Sequence, residues 1–542
     1  MKEKFINVCN KISSRVESYS DSFVFLCFSI FYFVWRILTL PLFEVSGDAA
    51  WKWRFLRYFH ETGVWFPRVP EHHQGRWAQN IPAYWLMEWF DSSAPWLASV
   101  LPILTGYAVL VLIWLIVRKF ASRTCALVAI IITLSNPIFI NESAQLLPSM
   151  PSTMYILLSI YIFIDYIRKP GLWFLPLIAG FTMGFAWGCK VTVSYWALGM
   201  GLFLLFNPVS TKNILSWKRL RIGWDAVLFA LGFMLVLVPE TLIMNNVFGV
   251  KFGRLDLLHQ HSGANPRLVC FNLLEYIFAP FCVFLNLSGK FINTGVMASL
   301  FLLAMPPAII YIRKKSLPLE QKFLLFSMFI AMLCHCYLVV KIFPFKHPER
   351  PLVRYFLALF CVWSIVLVVY WRWLFDEIRS EKWKKRLLIP VGAICFVLTM
   401  LSVVNLFNHP FINKNNLFTK IGAYRCMAEY RKNNLPVLIT LGKRPQLKTK
   451  SFKTIIAWES FFGESQQLPS LQKPDMEQLR KKWENSDFIR DGRGNYYFHL
   501  WGEKPVTGKQ NRCMIVNPEF VKIKDLFIEK YEKTVEQQNM RK

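Results

Sequence analysis

Residues 22–63 read SFVFLCFSIFYFVWRILTLPLFEVSGDAAWKWRFLRYFHETG. The first half is an apolar run close to the ~20 residues with which one helix crosses the hydrocarbon of a bilayer. The second half turns at once to Lys, Arg and aromatic residues, with Asp48 at its head. A basic, aromatic, helix-forming stretch directly after a span is suited to lying along the membrane surface. Apolar runs of the same kind recur, at roughly 22–42, 95–117, 123–140, 149–166, 172–189, 191–207, 224–245, 294–312, 322–343, 353–372 and 387–406. The expected fold class is mainly α: a polytopic transmembrane bundle of about eleven spans. Interfacial helices occupy its external loops, and a small soluble α/β domain closes the chain.

Composition agrees. Hydrophobic residues make up 54% of the 542, with 48 Phe and 21 Trp, which a set of soluble domains does not need. The formal charge of +29 would point to nucleic acid in a soluble protein. Here basic cytoplasmic loops and anionic headgroups account for it, so membrane lipids and no nucleic acid are the expected partners. Most cysteines lie scattered in apolar runs and show no metal-ligand spacing. The first apolar run is long and lacks a small-residue cleavage site, so it is expected to stay as an anchor.

Lys and Arg set the orientation. The N-terminus and the segments VRKFASR, IRKPG, STKNILSWKRLR, IRKKS and EKWKKR are cytoplasmic if the chain crosses about eleven times. The run 268–287 would spoil that parity. It carries Glu275 and Pro280, and is read as interfacial or re-entrant. Four features then share the external face: the Asp48 loop, the loop near 246–293, the turn FPFKHPERPLVR and the C-terminal tail. Residues 1–407 form the transmembrane module and 408–542 the external domain, where short strands alternate with turns.

Asp48 stands at or near the start of a helix that Gly63 closes, where the helix dipole favours an anion. A plain helix cap paired with Lys52 explains the same facts. Arg76 opens a second helix start, behind a His pair that lacks a third ligand at metal spacing. Lys190 sits between two apolar runs with no acid near it in sequence. An ionisable group at that depth reads as functional, against snorkelling to the interface. Lys346, His347, Arg350 and Arg354 crowd the external end of a span, against the positive-inside trend. Arg350 and Arg354 share a helix face and suit a phosphate, and their place against the positive-inside trend favours anion binding over headgroup anchoring or pairing with Glu349.

Taken in order, these elements resemble the GT-C glycosyltransferases, integral membrane enzymes that use polyprenyl-phosphate-linked sugars. GDAAWKWRFLRYFHETGVWFP is similar to their first-loop pattern. RWAQNIPAYWL resembles the segment that follows in the lipid A aminoarabinose and galacturonic acid transferases. SNPIFINESAQLLPSMPSTMYILLSIYIF and GFAWGCKVTVSY are similar to later segments of the same group. HPERPLVRYFLALF resembles the His-and-Arg motif of lipid-linked mannosyltransferases. The likeness covers about residues 20–370. There is one departure. Many of these enzymes carry a second acid where this chain has Ser149, with Glu142 nearby as the substitute.

The resemblance implies an inverting transfer from a polyprenyl-phosphate sugar to a lipid, glycan or protein acceptor. Asp48 is then the base. Lys190, Arg350, Arg354 and His347 bind the donor phosphate. Arg76 and Glu142 position the acceptor or its loop. No cofactor is required by the residues, and a divalent metal stays open. A transporter or flippase for an anionic or lipid-linked substrate, with Lys190 in its path, is the main alternative. A basic membrane scaffold is the third. The membrane is a bacterial inner membrane with the site facing the periplasm, or, given the sequon Asn141-Glu142-Ser143, that of the ER.

Overall fold

The computed structural model describes residues 14–39, 73–91 and 97–257 with few gaps, most of 308–337 and 353–380, single positions of 49–63, Pro390, and four short strands beyond residue 436. The described part is mainly helical. Its helices are α1 (Asp21–Thr39), α2 (Trp77–Trp89), α3 (Leu97–Phe120), α4 (Arg123–Leu134), α5 (Pro137–Glu142), α6 (Ser149–Arg168), α7 (Leu175–Cys189), α8 (Ser194–Phe206), α9 (Trp224–Phe248), α10 (Leu319–Tyr337) and α11 (Leu357–Glu377). Among the described residues, five helices are long and apolar enough to cross a membrane: those ending at Phe120, Arg168, Phe248, Tyr337 and Glu377. The expected span 123–140 is instead two pieces. Asn136 is extended (φ −80°, ψ 121°) and caps α5 by accepting from Ile138 N at 2.7 Å, and Pro137 is set to start a helix and not to continue one. The expected segments 268–287 and 294–312, apart from Ala308, Ile309 and Ile312, lie outside the described residues. So do 387–406, apart from Pro390, and the boundary at 407.

Helices α7 and α9 cross closely because small residues line the contact. A Cβ on Gly180 would meet Phe229 O at 2.0 Å, and one on Gly232 would meet Leu177 O at 2.0 Å. Where lipid is as apolar as the side chains, such close backbone approach is a main source of helix association. On the other flank of α7, Ser159 Oγ of α6 donates to Ala179 O at 2.8 Å. Helix α11 is the inner one: every residue from Leu357 to Tyr370 is buried. Helix α9 is the outer one, exposing Leu231, Leu235, Val238, Leu242 and Val247. An apolar face of that kind, with charge confined to the ends, fits lipid and not water.

Charged side chains gather at the two ends of the bundle. At one end Arg123 Nε meets Asp21 Oδ1 at 2.5 Å, Lys119 pairs with Asp165, and Arg168 Nε lies 3.5 Å from Glu320 Oε1. These pairs tie the starts of α1, α4 and α10 to the ends of α3 and α6. The opposite end carries the start of α6, the ends of α7 and α9 and the approach to α11, and holds the site below.

The first-loop helix is seen at Ala49, Lys52, Phe55, Leu56, Phe59 and His60. Gly63 (φ 69°) closes it, its N–H donating to Phe59 O at 2.7 Å. Lys52, Phe55 and Leu56 are buried, so that face packs on protein. Helix α2 has the amphipathic character of an interfacial helix, with Ala83 and Met87 buried and Trp85 and Trp89 exposed. Strands β1 (Asn213–Trp217) and β2 (Leu220–Gly223) make an antiparallel hairpin. In the C-terminal part β3 (Val437–Thr440), β4 (Phe488–Arg490), β5 (Tyr496–Phe498) and β6 (Arg512–Ile515) form an antiparallel sheet ordered β3-β6-β5-β4. The remainder of that part, including any helix, lies outside the described residues.

Candidate active site

Helix α7 ends at Cys189 because Lys190 adopts extended backbone (φ −155°, ψ 124°), and a 3-10 turn, Val191–Val193, leads into α8. Lys190 is therefore held at a break between two apolar helices, with 9% of its surface exposed. Its Nζ donates to Ser149 Oγ at 3.3 Å and sits 4.0 Å from the centre of the Tyr355 ring. The ring face is a weak partner for a cation, worth on the order of 1–2 kcal/mol when desolvated. Ser149 opens α6, and its carbonyl accepts from Ser152 Oγ (2.9 Å) and Thr153 Oγ1 (2.7 Å). These residues line a recess with Trp196 and His335, whose enclosed space of about 10 Å³ is the room of one water or one oxygen atom.

His335, in the last turn of α10, is buried between the rings of Tyr195 (4.8 Å) and Phe356 (5.5 Å). Its Nδ1 lies 2.7 Å from Ala331 O, so in the neutral ring the proton sits on Nδ1 and Nε2 is an acceptor.

A second polar group adjoins the first through the end of α7. Arg254, at the start of a short helical stretch (254–257) after α9, is 2% exposed. Its Nη1 donates to Trp187 O, and its Nε lies 3.6 Å from Glu240 Oε1 of α9. Trp77 Nε1, in the first turn of α2, donates to Glu240 Oε2 at 3.0 Å. Burial pulls the Arg254 guanidinium below its ordinary value, and Glu240 opposes the shift. Lys52 Nζ donates to Leu146 O at 3.2 Å, which ties the first-loop helix to the start of α6.

The sequence-derived candidates fall as follows. Lys190 and Ser149 are brought together. Arg76 is buried at the N-cap of α2, within electrostatic reach of Cys189. Glu142 is the last residue of α5 and is 2% exposed. Arg354 lies on the 3-10 turn Val353–Phe356, next to Tyr355. Asp48, His347 and Arg350 lie outside the described residues. Reading by sequence passed over His335, Glu240, Arg254 and Tyr355. An ionisable residue within an apolar span was signal enough for the first two. Among the described residues no group of three or more His, Cys, Asp or Glu is arranged to hold a metal ion.

Residues 84–238, from within α2 to within α9, match the family model described as dolichyl-phosphate-mannose-protein mannosyltransferase, a GT-C family. The resemblance to the GT-C glycosyltransferases holds. The GT-C-like segment contains Glu142, Ser149 and Lys190. No curated protein matches the chain. Among solved structures the chain is similar to the oligosaccharyltransferase AglB from Archaeoglobus fulgidus in complex with an inhibitory peptide and a dolichol-phosphate. The identity is 14% and the TM-score 0.41, over 68% of this chain and 52% of that one. It is also similar to ArnT from Cupriavidus metallidurans bound to undecaprenyl phosphate, at 13% identity and a TM-score of 0.44, over 82% of this chain and 76% of that one. The likeness thus spans about half the length of the archaeal oligosaccharyltransferase.

Proposed function

We propose that this protein is an inverting glycosyltransferase of the membrane. It moves a sugar from a polyprenyl-phosphate donor to a lipid, glycan or protein acceptor on the external face. The observation that carries the reading is Lys190. It is a buried ammonium at a helix break, 3.3 Å from the Ser149 hydroxyl and 4.0 Å from the centre of the Tyr355 ring, and it lines a recess with room for one oxygen atom. A phosphate oxygen meets such a group by charge and size. The donor class follows the description of the family matched by residues 84–238.

In this reading the acceptor hydroxyl attacks the anomeric carbon from the face opposite the phosphate. The new C–O bond forms as the bond to the phosphate oxygen breaks, and its electron pair leaves on the phosphate. Asp48 takes the hydroxyl proton. Lys190, with Arg350, Arg354 and His347 from the segment before α11, stabilises the charge that grows on the phosphate, and His335 completes the polar wall. Each fixed donor of this type contributes on the order of 3 kcal/mol to the transition state. Arg76 and Glu142 position the acceptor side. Residues 1–407 act as the catalytic module and 408–542 as an external domain, in a bacterial inner membrane or the ER.

The test is transfer of radiolabelled sugar from a panel of polyprenyl-phosphate sugars in membranes that contain the wild-type or the Asp48→Asn protein. Label should move only with the wild type. Full activity of the Asp48→Asn protein would remove Asp48 as base.

A further inference from the structure

The last carbonyls of a helix have no partner inside the helix and are satisfied from elsewhere. In α7 one of them, Trp187 O, is taken by Arg254 Nη1, three residues before Lys190. The Ala186 carbonyl is taken by Lys190 N at 3.0 Å, the last i→i−4 bond of α7, and the extended backbone of Lys190 then turns the chain out. A guanidinium at the C-terminal end of a helix is also favoured by the helix dipole. Arg254 is not free to move. Its stem packs where a Cβ on Gly75 would stand 3.4 Å away, and its charge faces Glu240 at 3.6 Å. Glu240 is in turn fixed by Trp77 Nε1. The Trp77 ring lies so close to Gly188 that a Cβ there would come within 2.7 Å of it. The chain of contacts therefore runs from α2 to α9 to the short helical stretch that Arg254 opens, and ends on the backbone of α7 beside Lys190.

A buried ion pair adds little net stability, because desolvation offsets the attraction. Two charges kept at 1% and 4% side-chain exposure need another reason to be there. We infer that Glu240 and Arg254 are positioning residues for Lys190. They hold the Trp187 carbonyl, and with it the point at which α7 ends, so that the ammonium meets a lipid phosphate in the recess. The inference rests on the reading of Lys190 given above. Glu240 lies two residues past the end of the matched family segment and Arg254 further still, so neither role comes with the family description.

The experiment is a double-mutant cycle on the binding of undecaprenyl phosphate to the purified full chain in detergent micelles. The variants are Lys190→Met, Arg254→Gln, both together, and Glu240→Gln with Arg254→Gln. The last pair leaves no lone buried charge and guards against a variant that fails to fold, and each protein is first shown to be monodisperse. Loss of a charge-assisted hydrogen bond network of this kind should weaken binding roughly tenfold. The same changes should have no further effect in the Lys190→Met background. Non-additivity of that form marks action through Lys190, which a general loss of stability would not give. Additive losses, or wild-type affinity in the Arg254 variants while Lys190→Met is weakened, would overturn the inference alone. A wild-type protein that does not bind, or a Lys190→Met protein that binds as well, would overturn the reading of Lys190 and the inference with it.

Discussion

Lys190 Nζ donates to Ser149 Oγ across 3.3 Å, joining the residue that ends α7 to the residue that starts α6. The pair sets a cation against a hydroxyl at the mouth of the recess. A carboxylate there would compete with an anionic ligand for the ammonium; a hydroxyl does not.

That relation gives a first prediction. Ser149→Ala removes one hydrogen bond, worth about 1 kcal/mol, and should weaken undecaprenyl phosphate binding by no more than about fivefold. Ser149→Asp should weaken it more, since the new carboxylate pairs with Lys190. Tighter binding by the Asp variant, measured by titration in micelles, would show that Lys190 does not face the phosphate.

His335 supplies the second. It lines the recess, and Ala331 O fixes its ring. His335→Leu should keep the fold, because a residue between the rings of Tyr195 and Phe356 needs bulk before polarity. It should lower transfer severalfold, because an apolar side chain replaces the imidazole edge that lines the recess. Unchanged initial rates in the label-transfer assay would remove His335 from the site.

The third concerns the α7–α9 crossing. Gly232→Ala puts a Cβ 2.0 Å from Leu177 O, so the backbones must part. Overpacking of this sort costs roughly 1–3 kcal/mol. Thermal unfolding in detergent should move to lower temperature. Gly201→Ala, with nothing within 4 Å of the new Cβ, should leave it unchanged.

The fourth is a pH dependence outside the spans. Burial would raise the Glu17 carboxyl, but the N–H and hydroxyl of Thr124 (2.9 and 3.0 Å) and the Ser122 hydroxyl outweigh it and hold the group below its usual 4.5. A depressed carboxyl stabilises the fold above the unfolded value and loses that contribution as pH falls through the folded one. Wild-type stability should therefore drop below about pH 4.5 more steeply than that of Glu17→Gln, which lacks the group. Parallel curves would contradict the assignment.

Hydropathy made much of this bundle legible, because each apolar run near the length of a bilayer has few other uses. The α4 to α5 break was missed there, since Ile138, Phe139 and Ile140 continue the apolar run across Asn136-Pro137, and capping chemistry and not hydropathy ends the helix. Lys190 was legible as a lone charge at depth. Its partners were not: Ser149 is 41 residues away, and Tyr355 reads as one more aromatic in an aromatic-rich turn. Arg254 and Glu240 gain their meaning only from Trp187 and Trp77, which α7 and α2 bring to one end of the bundle.

The most direct test of the account is the initial rate of sugar transfer by Lys190→Met protein, inserted and monodisperse like the wild type, from the donor found active in the panel. Loss of a fixed cation at the leaving phosphate predicts a fall on the order of a hundred- to a thousandfold. A rate equal to that of the wild type would contradict it, and would leave the buried ammonium between α7 and α8 without the role assigned to it.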